Sequence, residues 1–302
     1  MKTTSKATES APVSNAQSAQ ANSSLHTRVI GDIIRDARSL SIAEVEKVLV
    51  YQREKGLRFG EAAVALGLAG EDDVLHALAQ QFSYPLANAE RRLSSPELVV
   101  LNQPFSVQAE AVRAARSQVN MRLHDAAAPR LALAVISPET GDGKSFFTAN
   151  LAVALAQLGG RTLLVDADLR GPRQHEVFRV PNAAGLSNVL SGRAEAQVIQ
   201  SVEGIPALFV LPGGSIPPNP LELLERPAFG LLMRELSAKF DHVIVDTTAA
   251  SYGADACVTA ARCGAALVLA RKSACKYAAL QDLVASLSGS PVKLLGAIVN
   301  EF

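Results

Sequence analysis

The sequence has no tryptophan, four tyrosines and only 5% aromatic residues, too few stacking side chains for a single-strand nucleic-acid platform. It also has no net charge, 29 Lys and Arg against 29 Asp and Glu. No global field therefore draws it to nucleic acid or to an anionic membrane. Its three cysteines, Cys257, Cys263 and Cys275, lack paired metal-ligand spacing, and an odd number suits a reducing compartment better than a disulfide framework. No apolar run approaches the roughly 20 residues that span a bilayer, and the N-terminus lacks the apolar core of a secretory signal. Together these absences predict a cytoplasmic chain without a nucleic-acid partner, reaching any membrane only through another protein.

What is present is an apolar content of 48% over 302 residues, ample for one large or two smaller cores. The chain is organised around Ser137-Pro138-Glu139-Thr140-Gly141-Asp142-Gly143-Lys144-Ser145. An apolar run, Leu131 to Ile136, leads in, and a helical pattern, Phe146 to Leu158, leads out. Strand, glycine-bearing turn, Gly-Lys-Ser and helix make a triphosphate cradle. The glycines let backbone N–H groups turn inward, and the helix N-terminus adds partial positive charge. Lys144 would reach the β- and γ-phosphates, and the Ser145 hydroxyl would ligate Mg²⁺. Candidate nucleotide contacts run from Thr140, Gly141, Asp142 and Gly143 through Lys144, Ser145 and Phe146. Pro138 stands where the full phosphate-loop pattern has glycine.

Further apolar runs of strand length follow at Thr162–Val165, Leu208–Leu211, Val243–Val245, Ala266–Leu269 and Leu294–Val299, most separated by helical patterns. Near-continuous apolar strands alternating with helices predict an α/β fold, a mostly parallel sheet covered by helices on both faces. Ligands of such sheets sit at the carboxyl ends of the strands. Two of these runs end in carboxylates there: Val165-Asp166-Ala167-Asp168 and Val245-Asp246. An acid at an apolar strand end is costly unless it meets a cation, and Mg²⁺ takes oxygen ligands together with phosphate. Each aspartate alone also reads as a helix N-cap. As a set beside Gly-Lys-Ser, they assign Ser145, Asp168 and Asp246 to the metal. Asp166 is then the base or orienting group for an attacking hydroxyl, of tyrosine or of water.

Four segments are expected. Residues 1–25 are Ser, Ala, Thr, Gln and Asn with almost no large apolar side chains, a disordered tail. Residues 26–90 carry an internal repeat, Ile30-Gly31-Asp32 recurring as Phe59-Gly60-Glu61. Val45, Leu49 and Gln52 recur at the same offset as Val74, Leu78 and Gln81. Apolar stripes at Val45, Val48, Leu49 and at Val74, Ala77, Leu78 predict a small all-helical domain of two helix pairs. Residues 91–105 read as a linker with one short helix and 106–302 as the nucleotide domain, opening on a helix whose Glu110, Arg113 and Arg116 share one charged face.

The second repeat copy, Arg58-Phe59-Gly60 through Gly67 to Gln81, resembles the N-terminal domain of type II secretion and pilus-assembly ATPases. That resemblance implies cyclic di-GMP as a candidate ligand. The first copy departs from it, with Val29 in place of Arg and Arg38 in place of Gly.

From about Phe105 to Phe302 the sequence resembles the bacterial tyrosine kinases of exopolysaccharide synthesis. The linked motifs are Thr140-Gly141-Asp142-Gly143-Lys144-Ser145, then Val165-Asp166-Ala167-Asp168-Leu169-Arg170-Gly171-Pro172 and Gly185-Leu186-Ser187-Asn188. Leu211-Pro212-Gly213-Gly214, Pro217-Pro218-Asn219-Pro220-Leu221-Glu222 and Asp246 with Asp255-Ala256 complete them. The layout looks most like the chain-length-determinant kinases encoded with extracellular-polysaccharide clusters. The resemblance implies a P-loop NTPase fold, ATP and Mg²⁺, and tyrosine autokinase-type phosphoryl transfer controlling polymer length and export. It implies a ring-like homo-oligomer through Glu110, Arg113 and Arg116, and an activating membrane partner, a chain-length-determinant co-polymerase, that holds the protein at the inner membrane. It places Asn300 against the adenine. The sequence departs from that family in two ways. It stops at Phe302 without a tyrosine-rich tail, its tyrosines (Tyr51, Tyr84, Tyr252, Tyr277) being scattered, and Thr248-Ala249 replaces the usual Pro-Pro. An ATP-driven assembly switch, a nucleotide sensor without kinase activity and a partition-type ATPase are the alternatives. The last has a lysine where Glu139 stands.

Overall fold

A computed structural model describes residues 30–81, 95–123, 129–193 and 197–301. The expected tail, Val29, Tyr84, Phe302 and the first part of the expected linker lie outside these residues. The chain divides into two compact units, residues 1–86 and 87–302.

The first unit is all-helical in its described residues: α1 (Ile30–Arg38), α2 (Ile42–Lys55), α3 (Phe59–Ala65) and α4 (Glu71–Gln81). Helix α2 begins on a capping box in which Ser41 and Glu44 satisfy each other's backbone N–H, and it stops at Gly56 in the left-handed region. Glu61 plays the same part for α3, accepting from the Arg58 N–H at 2.8 Å. The core joins Ile33, Ile34, Val48, Ala62, Ala63, Ala69 and Ala77. The repeat glycines are where its elements approach. A Cβ on Gly31 would touch the Phe59 ring at 3.6 Å, and one on Gly60 would lie 2.5 Å from Val74 Cγ1. The stripe on α2 is narrower than expected: Val48 is buried but Leu49 is exposed. Arg38 donates to Asp73 at 2.6 Å, tying the first copy to the second.

The second unit is a seven-stranded sheet in the order β3-β4-β2-β5-β1-β6-β7. Its strands are β1 (Ala132–Ile136), β2 (Thr162–Asp166), β3 (Gln200–Ser201), β4 (Leu208–Leu211), β5 (His242–Asp246), β6 (Gly264–Arg271) and β7 (Lys293–Asn300). All pairings are parallel except β3 with β4. The six expected runs are therefore strands. The short edge strand β3, with two residues and no apolar run, was not expected. Strands β1 and β2 are buried along their whole length, which is why they read as continuous apolar runs rather than alternating ones.

Helices α5 (Val99–Asn102), α6 (Val107–Leu123) and α7 (Lys144–Ala156) share one core with the sheet. The linker expected over 91–105 is corrected for its described part. Leu98, Val99 and Val100 are buried in that core, and the segment is pinned by Asn150. The Asn150 side chain accepts from the Val100 N–H at 3.1 Å and donates to the Glu97 carbonyl at 2.8 Å. The short helix expected in this segment is α5; its burial was hidden because the partner lies 50 residues downstream. The remaining helices are α8 (Gln174–Phe178), α9 (Leu186–Leu190), α10 (Pro220–Glu225), α11 (Pro227–Lys239), α12 (Asp255–Cys263) and α13 (Tyr277–Leu287), with a 3₁₀ turn at Ala250–Tyr252. A second buried cluster joins α9–α13 to the sheet. Among the described residues no helix is long and apolar enough to cross a membrane.

Candidate active site

Strand β5 lies between β1 and β2. Register therefore brings three sequence signals to one edge. Asp166 pairs directly with Asp246, and Asp246 is the cross-strand neighbour of Val135 near the end of β1. The loop after β1 arrives at the same place. Gly141 and Gly143 have φ of 85° and 91°, conformations that only glycine adopts without strain. Gly143 is the N-cap of α7, its carbonyl receiving the Phe147 N–H at 2.9 Å. The first-turn N–H groups, those of Lys144, Ser145 and Phe146, have no acceptor inside the helix, and anions bind such an end.

Lys144 is buried, and its ammonium donates to the Ser137 hydroxyl at 2.9 Å. Burial pulls its pKa below the ordinary lysine value, while Asp246, Asp168 and Asp142 pull the other way. The loop braces itself. The Ser137 hydroxyl donates to the Glu139 carbonyl at 2.8 Å, and the Asp142 carboxylate accepts from the Glu139 N–H at 3.0 Å. Asn300, at the end of β7, donates to the Asp142 carbonyl at 3.2 Å. It thus borders the loop. The Phe146 side chain packs against the core, so this residue offers a nucleotide only its backbone N–H. Thr140 is exposed at the rim.

The acids are held individually. Asp166 is fully buried and accepts from the N–H groups of Asp168, Arg173 and Gln174 at 3.2, 3.0 and 2.9 Å. Asp166 is not itself an N-cap: α8 has Arg173 in that position, and Asp166 reaches the Arg173 and Gln174 N–H groups from the end of β2. Burial, and then the charge of Asp246, push its carboxyl well above the usual range despite the Gln174 and Arg173 amides. Burial raises Asp246 as well. Two buried carboxylates side by side resist ionising together, and a cation relieves that cost. Asp246 takes hydrogen bonds from the Ser145 hydroxyl, the Thr247 N–H at 3.1 Å and the Gln174 amide at 2.7 Å. Asp168 is half-buried. Its Oδ1 accepts from the N–H groups of Arg170 and Gly171 at 3.2 and 3.0 Å and from the Thr248 hydroxyl at 2.8 Å. Thr248 thus supplies a donor that proline could not.

Among the described residues there is no cluster of three or more His, Cys, Asp or Glu side chains that could hold a metal by itself. Oxygen donors from Ser145, Asp168 and Asp246 beside a phosphate cradle fit Mg²⁺, which keeps water ligands and binds through one or two carboxylates plus substrate phosphates.

Gln174 was missed by the sequence reading, and Asp255, quoted there within the Asp255-Ala256 motif, was given no role. Gln174 is fully buried and touches Asp166, Asp246 and the Ser145 carbonyl, the last at 3.1 Å. Asp255 is fully buried and receives Arg170 through two bonds of 3.1 Å. Residue type carries no signal for either, since both act through contacts 72–85 residues away. The expected oligomer-contact face divides. Glu110 is 73% exposed. Arg113 turns back to Glu110 and the Pro104 carbonyl, and Arg116 donates to the Ala154 carbonyl at 3.0 Å. Both arginines therefore have contacts inside the chain.

Comparison with known proteins agrees with this geometry. Residues 133–302 match the family model of the CobQ/CobB/MinD/ParA nucleotide binding domain. The chain is 30% identical over 210 residues to the tyrosine-protein kinase wzc of Salmonella typhimurium, a match covering 70% of this chain and 29% of that protein. It is 34% identical over 170 residues to the tyrosine-protein kinase CpsD of Streptococcus agalactiae, covering 56% of this chain and 74% of that one. The solved kinase domain of the Escherichia coli tyrosine kinase ETK superposes with a TM-score of 0.65 at 30% identity, covering 71% of this chain and 84% of that domain. The match thus spans less than a third of wzc.

Proposed function

Because this chain belongs to the CobQ/CobB/MinD/ParA nucleotide-binding family and, within it, to the bacterial tyrosine kinases, we propose that it binds ATP with Mg²⁺ and transfers the γ-phosphoryl group to tyrosine in the service of exopolysaccharide polymerisation and export. The observation that carries the reading is the convergence of Lys144, Ser145, Asp166, Asp168 and Asp246 at the carboxyl ends of β1, β2 and β5. The first-turn N–H groups of α7 and Lys144 hold the phosphates. Ser145, Asp168 and Asp246 hold Mg²⁺, which neutralises charge on the phosphate oxygens. Asp166 orients the attacking hydroxyl. Its raised pKa, with burial first among the causes, suits a group that takes up a proton.

The described tyrosines differ in access. Tyr51 packs against the helical unit's core, whereas Tyr252 and Tyr277 are 58% and 72% exposed. Those two, or a partner's tyrosine, are the acceptors in this reading. Exposed Phe105, Val107 and Glu110 at the start of α6 support a contact with a second copy in a ring-like homo-oligomer. The reading places the protein in the cytoplasm, held to the inner membrane by a chain-length-determinant partner. For the helical unit the reading includes cyclic di-GMP. Calorimetric titration should give heat if both repeat copies form a site, and none if the Arg38–Asp73 pair closes the first copy.

The decisive experiment uses γ-labelled ATP and Mg²⁺ with wild type and Lys144→Ala, with and without the partner's cytoplasmic end. Lysine-dependent label on tyrosine is expected. Released phosphate without labelled protein would make the chain an ATP-driven switch, and no turnover would make it a sensor.

A further inference from the structure

The Gln174 side chain is fully buried, and a buried amide is costly unless its polar atoms are paired. Its Nε2 donates twice, to Asp246 Oδ2 at 2.7 Å and to the Ser145 carbonyl at 3.1 Å. Its backbone N–H donates to Asp166 Oδ2 at 2.9 Å. One residue thus fixes the ends of β2 and β5 and the first turn of α7. Its Oε1 is buried, and no donor among the described residues reaches it. Turning the amide over does not help. Oε1 would then face the Asp246 carboxylate and the Ser145 carbonyl, both acceptors. The orientation is therefore determined, and none of the described residues supplies a donor to Oε1.

We propose that Gln174 is a positioning residue of the phosphoryl-transfer site: it holds Asp246 and Ser145 in place for the metal and accepts a hydrogen bond from a water of the Mg–nucleotide complex. The inference rests on the functional reading above. It assigns to Gln174, the first residue of α8, a role that the phosphate loop and the strand-end aspartates leave unfilled.

The test titrates Mg²⁺ against binding of a fluorescent ATP analogue to the full chain, beside thermal unfolding without metal. Gln174→Leu keeps the size and removes both donor and acceptor. Its half-saturating Mg²⁺ should rise about tenfold or more, the loss expected for a hydrogen bond to a charged group, a larger change than any in its affinity for the analogue without Mg²⁺. An unchanged Mg²⁺ requirement, or an equal loss of affinity with and without Mg²⁺, would overturn the inference. If Gln174→Leu does not fold, Gln174→Met serves with the same readout, and an unchanged Mg²⁺ requirement in that variant would likewise overturn the inference. Failure of the wild-type chain to bind Mg–nucleotide would remove the functional reading and this inference together.

Discussion

Replacing Arg170 with leucine should destabilise the catalytic unit by about 2–3 kcal/mol, and replacing Asp255 as well should return part of that. Asp255 is the first residue of α12 and its side chain is 1% exposed, whereas that of Arg170 is 35% exposed. Two bonds of 3.1 Å join them. Removing one partner of a buried pair leaves an uncompensated charge at a cost of about 3–5 kcal/mol. Water reaches the Arg170 side of this pair, so the lower figure applies. In the double variant Arg170→Leu/Asp255→Asn no buried charge remains. What is lost is the favourable acid at a helix start, about 0.3–1 kcal/mol, so the double variant should be more stable than Arg170→Leu by about 1–2 kcal/mol. For a unit of this size each kcal/mol moves the melting temperature by about 2–4 °C. Arg170→Leu should therefore fall by about 5–10 °C and the double variant by clearly less. Differential scanning calorimetry of the four proteins measures the cycle. A single-variant shift below about 1 °C, or a double variant as unstable as the single one, would refute the reasoning.

Other substitutions probe close approach, buried amide bonding and burial. A Cβ on Gly185 would lie 2.1 Å from the Pro212 carbonyl oxygen and 2.4 Å from the Gly214 nitrogen, both backbone atoms, whereas one on Gly171 would meet nothing within 4 Å. Gly185→Ala should lose about 2–3 kcal/mol in urea unfolding and Gly171→Ala under about 0.5 kcal/mol; equal effects would contradict the packing. Asn150→Leu strands the Val100 N–H and the Glu97 carbonyl and should cost about 2–4 kcal/mol by the same assay, a loss under about 0.5 kcal/mol arguing that the 95–105 segment is not part of the core. Burial pushes the Cys263 thiol far up, and partial burial with Asp142 and Glu139 raises Cys275. A raised thiol pKa means less thiolate at neutral pH, so native Cys263 should resist alkylation until unfolding. Cys275 should react slowly and faster as pH rises, and mass spectrometry of labelled native protein reads both.

The sheet was legible because β1, β2 and β5 are buried on both faces, so their sequences are unbroken apolar runs ending in Asp166 and Asp246. The phosphate loop was legible because its chemistry is local: two glycines, Lys144 and Ser145 within a few residues. Gln174, the pairing of Arg170 with Asp255 and the burial of α5 were not, because each depends on partners 50–85 residues away. Charge pattern alone placed Arg113 and Arg116 on one helix face, and only coordinates reveal their bonds to the Pro104 and Ala154 carbonyls. Phe146 falls in the same class, since sequence position beside Gly-Lys-Ser makes it a candidate nucleotide contact while packing turns its ring into the core.

The most direct measurement is calorimetric titration of Mg–ATP into wild type and Lys144→Ala. The account predicts one Mg²⁺-dependent site per chain in the wild type, and binding weakened by at least tenfold in a variant that still melts cooperatively. Equal affinities in the two proteins would contradict the assignment of the Ser137–Ser145 loop as the triphosphate cradle.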